Sequence, residues 1–131
     1  MTPGTICFDL DGVLAEYDGW RGPSHIGKPI PEGVDLAKRL RELGFQIIIF
    51  TCRLNGQWPG VDYQKIKRQV EEWLDAHGVP YDRVATQVDG KPFADAYVDD
   101  RAIHFPANRG PAAPVLAQLL RLLYWEVAES D

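Results

Sequence analysis

The chain has 131 residues, 45% hydrophobic and 25% charged, with 12 Gly, 10 Pro and 2 Cys, a composition that excludes a disordered tract, a collagen-like repeat and a disulfide scaffold. A single domain spanning 1–131 is expected, able to bury roughly two thirds of the surface that its unfolded chain exposes. Fourteen Lys and Arg against 19 Asp and Glu leave a formal net charge of −5, which disfavours a long nucleic-acid footprint or an anionic membrane as partner. There is no run of 18 apolar residues, and Met1 to Gly4 lack the pattern of a secretion signal, so the expected location is the cytoplasm. Cys7 and Cys52 each lie in an apolar run and read as buried thiols of a reducing compartment.

In chain order, Ile6-Cys7-Phe8 is a short apolar run ending at Asp9, and Gln46 to Phe50 is a β-branched run ending at Thr51. Both read as buried parallel strands. Between them Leu36, Leu40 and Leu43 recur at helical spacing, with Pro31 and Glu32 at the start and Gly44 as the stop, which makes a β-α-β unit. A second helix is expected from about Tyr63, because Ile66, Val70, Trp73 and Leu74 share one face and His77-Gly78 closes it. Strands are expected at Val84-Ala85-Thr86 and Ala96-Tyr97-Val98. A last helix, about 112–128, has an apolar arc wide enough for deep docking, with a homodimer contact as the alternative. The alternation predicts an α/β fold, a Rossmann-like three-layer α/β/α arrangement with a mainly parallel sheet.

In such a sheet ligands sit outside the carboxyl ends of the strands, and here the polar residues collect there. Strand one runs into Asp9-Leu10-Asp11-Gly12, strand two into Thr51-Cys52-Arg53 and strand four into Asp99-Asp100, with Lys91 in the loop before it. Four carboxylates in one crevice repel one another unless a cation offsets them. Hard oxygen donors, with no His or Cys pair at ligand spacing, match Mg²⁺ rather than zinc.

Phe8-Asp9-Leu10-Asp11-Gly12-Val13-Leu14 resembles the first motif of the haloacid dehalogenase superfamily; Thr51 resembles its second, Lys91 its third and Asp99-Asp100 its fourth. Two-component receiver domains use similar residues, but there the acidic pair comes first and the lysine last, the reverse of the order here. The resemblance spans residues 6 to about 105. It implies a Rossmann-like sheet, Mg²⁺ dependence and phosphomonoester hydrolysis. In that scheme Asp9 is the nucleophile that forms an aspartyl-phosphate, and Asp11 is the general acid and then the base. Thr51 and Lys91 meet the phosphoryl charge. Asp9, the Asp11 carbonyl and Asp99 hold the metal, and Asp100 holds a metal-bound water or orients Lys91. Lys91 stands only eight positions before Asp99, so Lys91 is expected to reach in from a loop rather than a helix.

The intervals between these motifs are too short for a cap domain, so a capless site is expected, covered by a flap at about 13–30. Within the flap Trp20, Arg21, His25 and Lys28 are candidates to hold a base, a sugar or a second anionic group. Cys52 and Arg53 are placed beside the substrate phosphate, with Arg53 either clamping it or pairing with Asp100. Asn55, Gln57 and Trp58 extend the same rim. His104 reads as a core-edge residue and His77 as a helix-end cation.

The expected activity is Mg²⁺-dependent hydrolysis of a small phosphomonoester. The stretch from strand two through Trp73-Leu74 and Gly78-Val79-Pro80-Tyr81 also resembles the phosphatase domain of phage polynucleotide kinases, which makes a nucleotidase or polynucleotide 3′-phosphatase acting on a nucleic-acid end the alternative. A non-catalytic phospholigand-binding module is the third reading, disfavoured because a binder needs neither Asp9 nor Asp11.

Overall fold

The computed structural model describes residues 3–54, 60–86 and 88–130. Its elements are β1 (Thr5–Phe8), α1 (Pro31–Glu42), β2 (Gln46–Ile49), a 3₁₀ turn (Cys52–Leu54), α2 (Tyr63–Ala76), β3 (Arg83–Val84), β4 (Ala96–Val98) and α3 (Ala112–Ser130). They form two compact units, Met1–Asp100 and Arg101–Asp131.

In the first unit the four strands make one sheet in the order β3-β2-β1-β4, and every pairing is parallel. The crossovers through α1 and α2 step the same way along the sheet, so their common handedness puts both helices on one face. Residues alternate between faces along a strand. Ile6 and Phe8 of β1 and Ile47 and Ile49 of β2 accordingly join Val34 and Ala37 of α1 and Ile66, Val70 and Leu74 of α2 in one core. Cys7 and Ile48, of opposite parity, point to the other face and are also buried. The strand order reverses at β1: β2 and β3 lie on one side of it and β4 on the other. That is the switch point where a parallel sheet opens a crevice at its carboxyl end.

Local signals explain the element ends. Pro31 opens α1, Asp62 caps α2 by accepting from the Gln64 and Lys65 amides at 3.1 and 3.2 Å, and His77 is the C-cap of α2. The third strand is shorter than the sequence suggests. The Thr86 amide and hydroxyl donate to the Asp89 carboxylate at 2.6 and 3.1 Å, closing a turn where a longer strand would have continued the ladder.

The second unit carries α3 after a turn in which the Arg109 amide donates to the Pro106 carbonyl and the Phe105 ring packs against Gly110. Where the sequence suggests a buried apolar arc, Leu116, Leu119, Leu120 and Leu123 stand exposed. His104, expected at a core edge, is exposed as well. No helix among the described residues is long and apolar enough to cross a membrane.

Candidate metal and phosphate site

The carboxyl ends of β1 and β4, adjacent at the switch point, bring three of the expected aspartates together. Asp9 continues the β1 ladder by donating its amide to the Val98 carbonyl at 3.0 Å. Carboxylate oxygens of Asp9, Asp99 and Asp100 lie within 4.8 Å of one another. Burial pushes the Asp9 carboxyl up to about 7, and the Asp99 charge adds to it; the Leu10 amide, donating to Asp9 Oδ1 at 2.8 Å, pulls the other way, and Asp100 and Asp11 raise it again. Among the described residues neither Asp9 nor Asp100 has an ion-pair partner. Asp9, Asp99 and Asp100 thus gather negative charge at one point, as a set of hard oxygen donors suited to a divalent ion.

Gly12 makes that cluster possible. Its φ of +88° belongs to the region that favours glycine, and a Cβ at this position would run into the Asp100 carboxylate. The chain turns here to enter the flap, and Asp100 occupies the space that the missing side chain leaves.

The fourth aspartate is not in the cluster. Both oxygens of Asp11 accept from Arg53, from Nε and Nη2, each at 2.8 Å, a fork-to-fork pair of the kind that fixes a carboxylate's plane. Arg53 was expected to clamp substrate or to meet Asp100. Instead its side chain is 3% exposed, directed at Asp11, and its Nη1 donates to the Pro23 carbonyl at 3.0 Å. The expected convergence of four carboxylates is thus three plus one, the fourth being balanced by an arginine. Thr51, at 2% exposure, accepts the Arg53 amide at 3.3 Å and closes the turn through the Leu54 amide. Cys52, expected to be buried, is exposed, because the 3₁₀ turn directs Arg53 and Leu54 inward in its place. Asn55, Gln57 and Trp58 lie outside the described residues.

Lys91 does sit in a loop. Its Nζ lies 4.4 Å from the centre of the Tyr97 ring, and the Tyr97 hydroxyl donates to the Pro92 carbonyl at 2.6 Å. Tyr97 is the register partner of Cys7, two residues before Asp9. Burial, then the Asp9 charge, pushes the Cys7 thiol up to about 11, and Lys91 pulls it down. Lys91 and Asp9 therefore both act on the Cys7 side of β1.

The flap is a hairpin with a firm foot. Ala15 bridges Pro29, and the Glu16 amide donates to the Lys28 carbonyl at 2.7 Å. Gly33, in the first turn of α1, has no room for a Cβ against the Val13 carbonyl, so flap and helix meet backbone to backbone. Trp20 lies over Arg53, its ring centre 5.2 Å from the guanidinium carbon. Arg21 pairs with Asp18 at 2.8 Å. Arg21, His25 and Lys28 line a separate cleft of about 520 Å³ together with Trp73 and His77; none of the four site aspartates borders it. Sequence reasoning missed Trp73, whose indole N–H donates to the Gly27 carbonyl at 3.1 Å and ties the flap to α2. Its place on the apolar face of the helix had marked it only as core.

No protein-family model matches the chain, and no curated protein matches it. Among solved structures it resembles a conserved protein of Bacteroides thetaiotaomicron, with 22% identity and a TM-score of 0.52 over 90% of this chain and 89% of that one. It also resembles a Vibrio cholerae protein solved by crystallography, with 24% identity and a TM-score of 0.54 over 96% and 99% of the two chains. These likenesses are of fold: the chain has the parallel α/β arrangement of the Rossmann-like class.

Proposed function

We propose that the chain is a Mg²⁺-dependent phosphatase of the haloacid dehalogenase type, a hydrolase acting on a small phosphomonoester. The observation that carries this reading is the meeting of Asp9, Asp99 and Asp100 at the switch point of the sheet, with Asp11 two residues from the nucleophile position. The Asp9, Asp99 and Asp100 carboxylates and the Asp11 carbonyl would hold the ion, which when bound would offset phosphate charge at Asp9. Asp9 attacks phosphorus, the bond to the leaving oxygen breaks, and Asp11 gives that oxygen a proton; Asp11 then takes a proton from the water that cleaves the aspartyl-phosphate. Thr51 donates its hydroxyl to a phosphoryl oxygen and Lys91 supplies a fixed positive charge. The short flap leaves the site without a cap domain.

The test is release of inorganic phosphate from a panel of phosphorylated metabolites, nucleotides and 3′-phosphorylated oligonucleotides, with Mg²⁺ and with EDTA. Metal-dependent release that is lost in both Asp9→Asn and Asp11→Asn is expected. Release that survives in these variants refutes the assignment. Activity confined to nucleotides or oligonucleotide ends replaces the small-metabolite substrate with a nucleotide one.

A further inference from the structure

An arginine at 3% exposure is held only when its charge is matched and its donors are used. Arg53 meets that condition with partners from two different parts of the chain. Two of its nitrogens grip Asp11, at the end of β1, and a third takes the Pro23 carbonyl of the flap, while Trp20 of the flap lies over the guanidinium. The flap foot has its own ties, through Glu16 to Lys28 and Trp73 to Gly27. The tip meets Arg53 through Pro23 and Trp20, and within it Arg21 pairs with Asp18 and the His25 amide donates to the Gly22 carbonyl.

We infer that Arg53 is a positioning residue that locks the flap tip and the Asp11 carboxylate as one unit, so that freeing either one loosens the other. Arg53 is buried under the flap and committed to these partners, which makes it a poor direct ligand for substrate. Arg53 takes one acceptor site on each Asp11 oxygen and fixes the plane of the carboxylate while leaving the other sites open to a leaving group, so loosening the tip also misplaces Asp11. The catalytic half of this inference rests on the phosphatase reading; the mechanical half does not.

The experiment is ¹⁹F NMR of the full chain labelled with 5-fluorotryptophan, without substrate, the Trp20 resonance being assigned through Trp20→Phe. In Arg53→Gln the Trp20 signal is expected to move toward the solvent-exposed position while the Trp73 signal, tied to the foot, stays. Asp11→Asn, which keeps the side-chain shape and removes the charge, is expected to do the same. The double variant is expected to go no further than either single one, the mark of one shared interaction. Arg53→Lys keeps the charge but loses the fork, and is expected to fall between. If Arg53→Gln does not fold, Asp11→Asn carries the test. An unmoved Trp20 signal in Asp11→Asn, or additive displacements in the double variant, overturns the lock. In turnover, Arg53→Gln is expected to lower kcat by about tenfold or more with little change in KM, with partial recovery in Arg53→Lys. Phosphate release that is indifferent to tip release overturns the catalytic half. Absence of phosphate release from every protein, the unsubstituted chain included, refutes the phosphatase reading and leaves the lock standing on the NMR result.

Discussion

Asp9 offers a measurement that needs no substrate. In the fold its carboxyl is pushed from 3.8 to about 7 by burial and by Asp99, Asp100 and Asp11; in the unfolded chain it returns to the ordinary value. Between these two pH values the native state holds a proton that the unfolded state has lost, so stability falls as pH rises through the window, and the penalty is complete above about pH 7. At about 1.4 kcal/mol per tenfold change, the ceiling is about 4 kcal/mol. Asp9 is only partly buried, and solvent screening brings the expected loss down to about 1–2 kcal/mol. For a chain of this size that is a fall in Tm of roughly 3–10 °C. The assay is thermal melting in EDTA at pH 5 and pH 8, for the unsubstituted chain and for Asp9→Asn, which cannot titrate at this position. The difference in Tm between the two proteins should shift in favour of Asp9→Asn on going to pH 8. A parallel pH dependence in both proteins would refute the argument that uncompensated charge is stored at Asp9.

The same charge predicts the response to metal: Mg²⁺ at about a hundred times its Kd stabilises a fold by ~2.7 kcal/mol, and the gain in Tm from a fixed Mg²⁺ concentration should be larger at pH 8 than at pH 5, where Asp9 is protonated. An equal gain at both pH values, or one retained in Asp100→Ala, would place the ion elsewhere. Gly12→Ala combines a positive φ with a collision against Asp100; it should lose about 1–2 kcal/mol from backbone strain and weaken Mg²⁺ binding in calorimetric titration. Leu74 is fully buried in the core, and Leu74→Ala should cost about 2–5 kcal/mol in urea unfolding. Leu43, 67% exposed, is the control, and Leu43→Ala should stay within about 0.5 kcal/mol.

Much of the first unit can be read from the sequence because its signals are local. A β-branched run, the spacing of Ile66, Val70 and Leu74, and an aspartate at a helix start each act within a few residues. The site aspartates were legible for a related reason: they stand directly after strands, and a parallel sheet delivers strand ends to one edge. The Asp11 to Arg53 pair was not legible. Its partners are 42 positions apart, no periodicity links them, and a buried arginine runs against the usual placement of charge. Cys52 and Trp73 failed in opposite ways. Composition made the cysteine look buried, but a single turn of 3₁₀ helix directed its neighbours inward instead. Trp73 does pack on the core as its spacing says, yet its indole nitrogen has a partner that only the tertiary fold supplies.

The flap hairpin divides the chain into positions with very different tolerance for added length. At its foot, Gly27 and Gly33 press against the carbonyls of Glu16 and Val13, so an insertion there would separate backbones that must touch. At its tip, the space around Gly19 and Gly22 is open. Extra chain can enter beside Gly19 without passing through the sheet, the core or the aspartate cluster. The hairpin is in that sense a socket: chain could be added at one short stretch, provided Trp20 and Pro23 keep their places on Arg53, leaving the folding of the parallel sheet as it is.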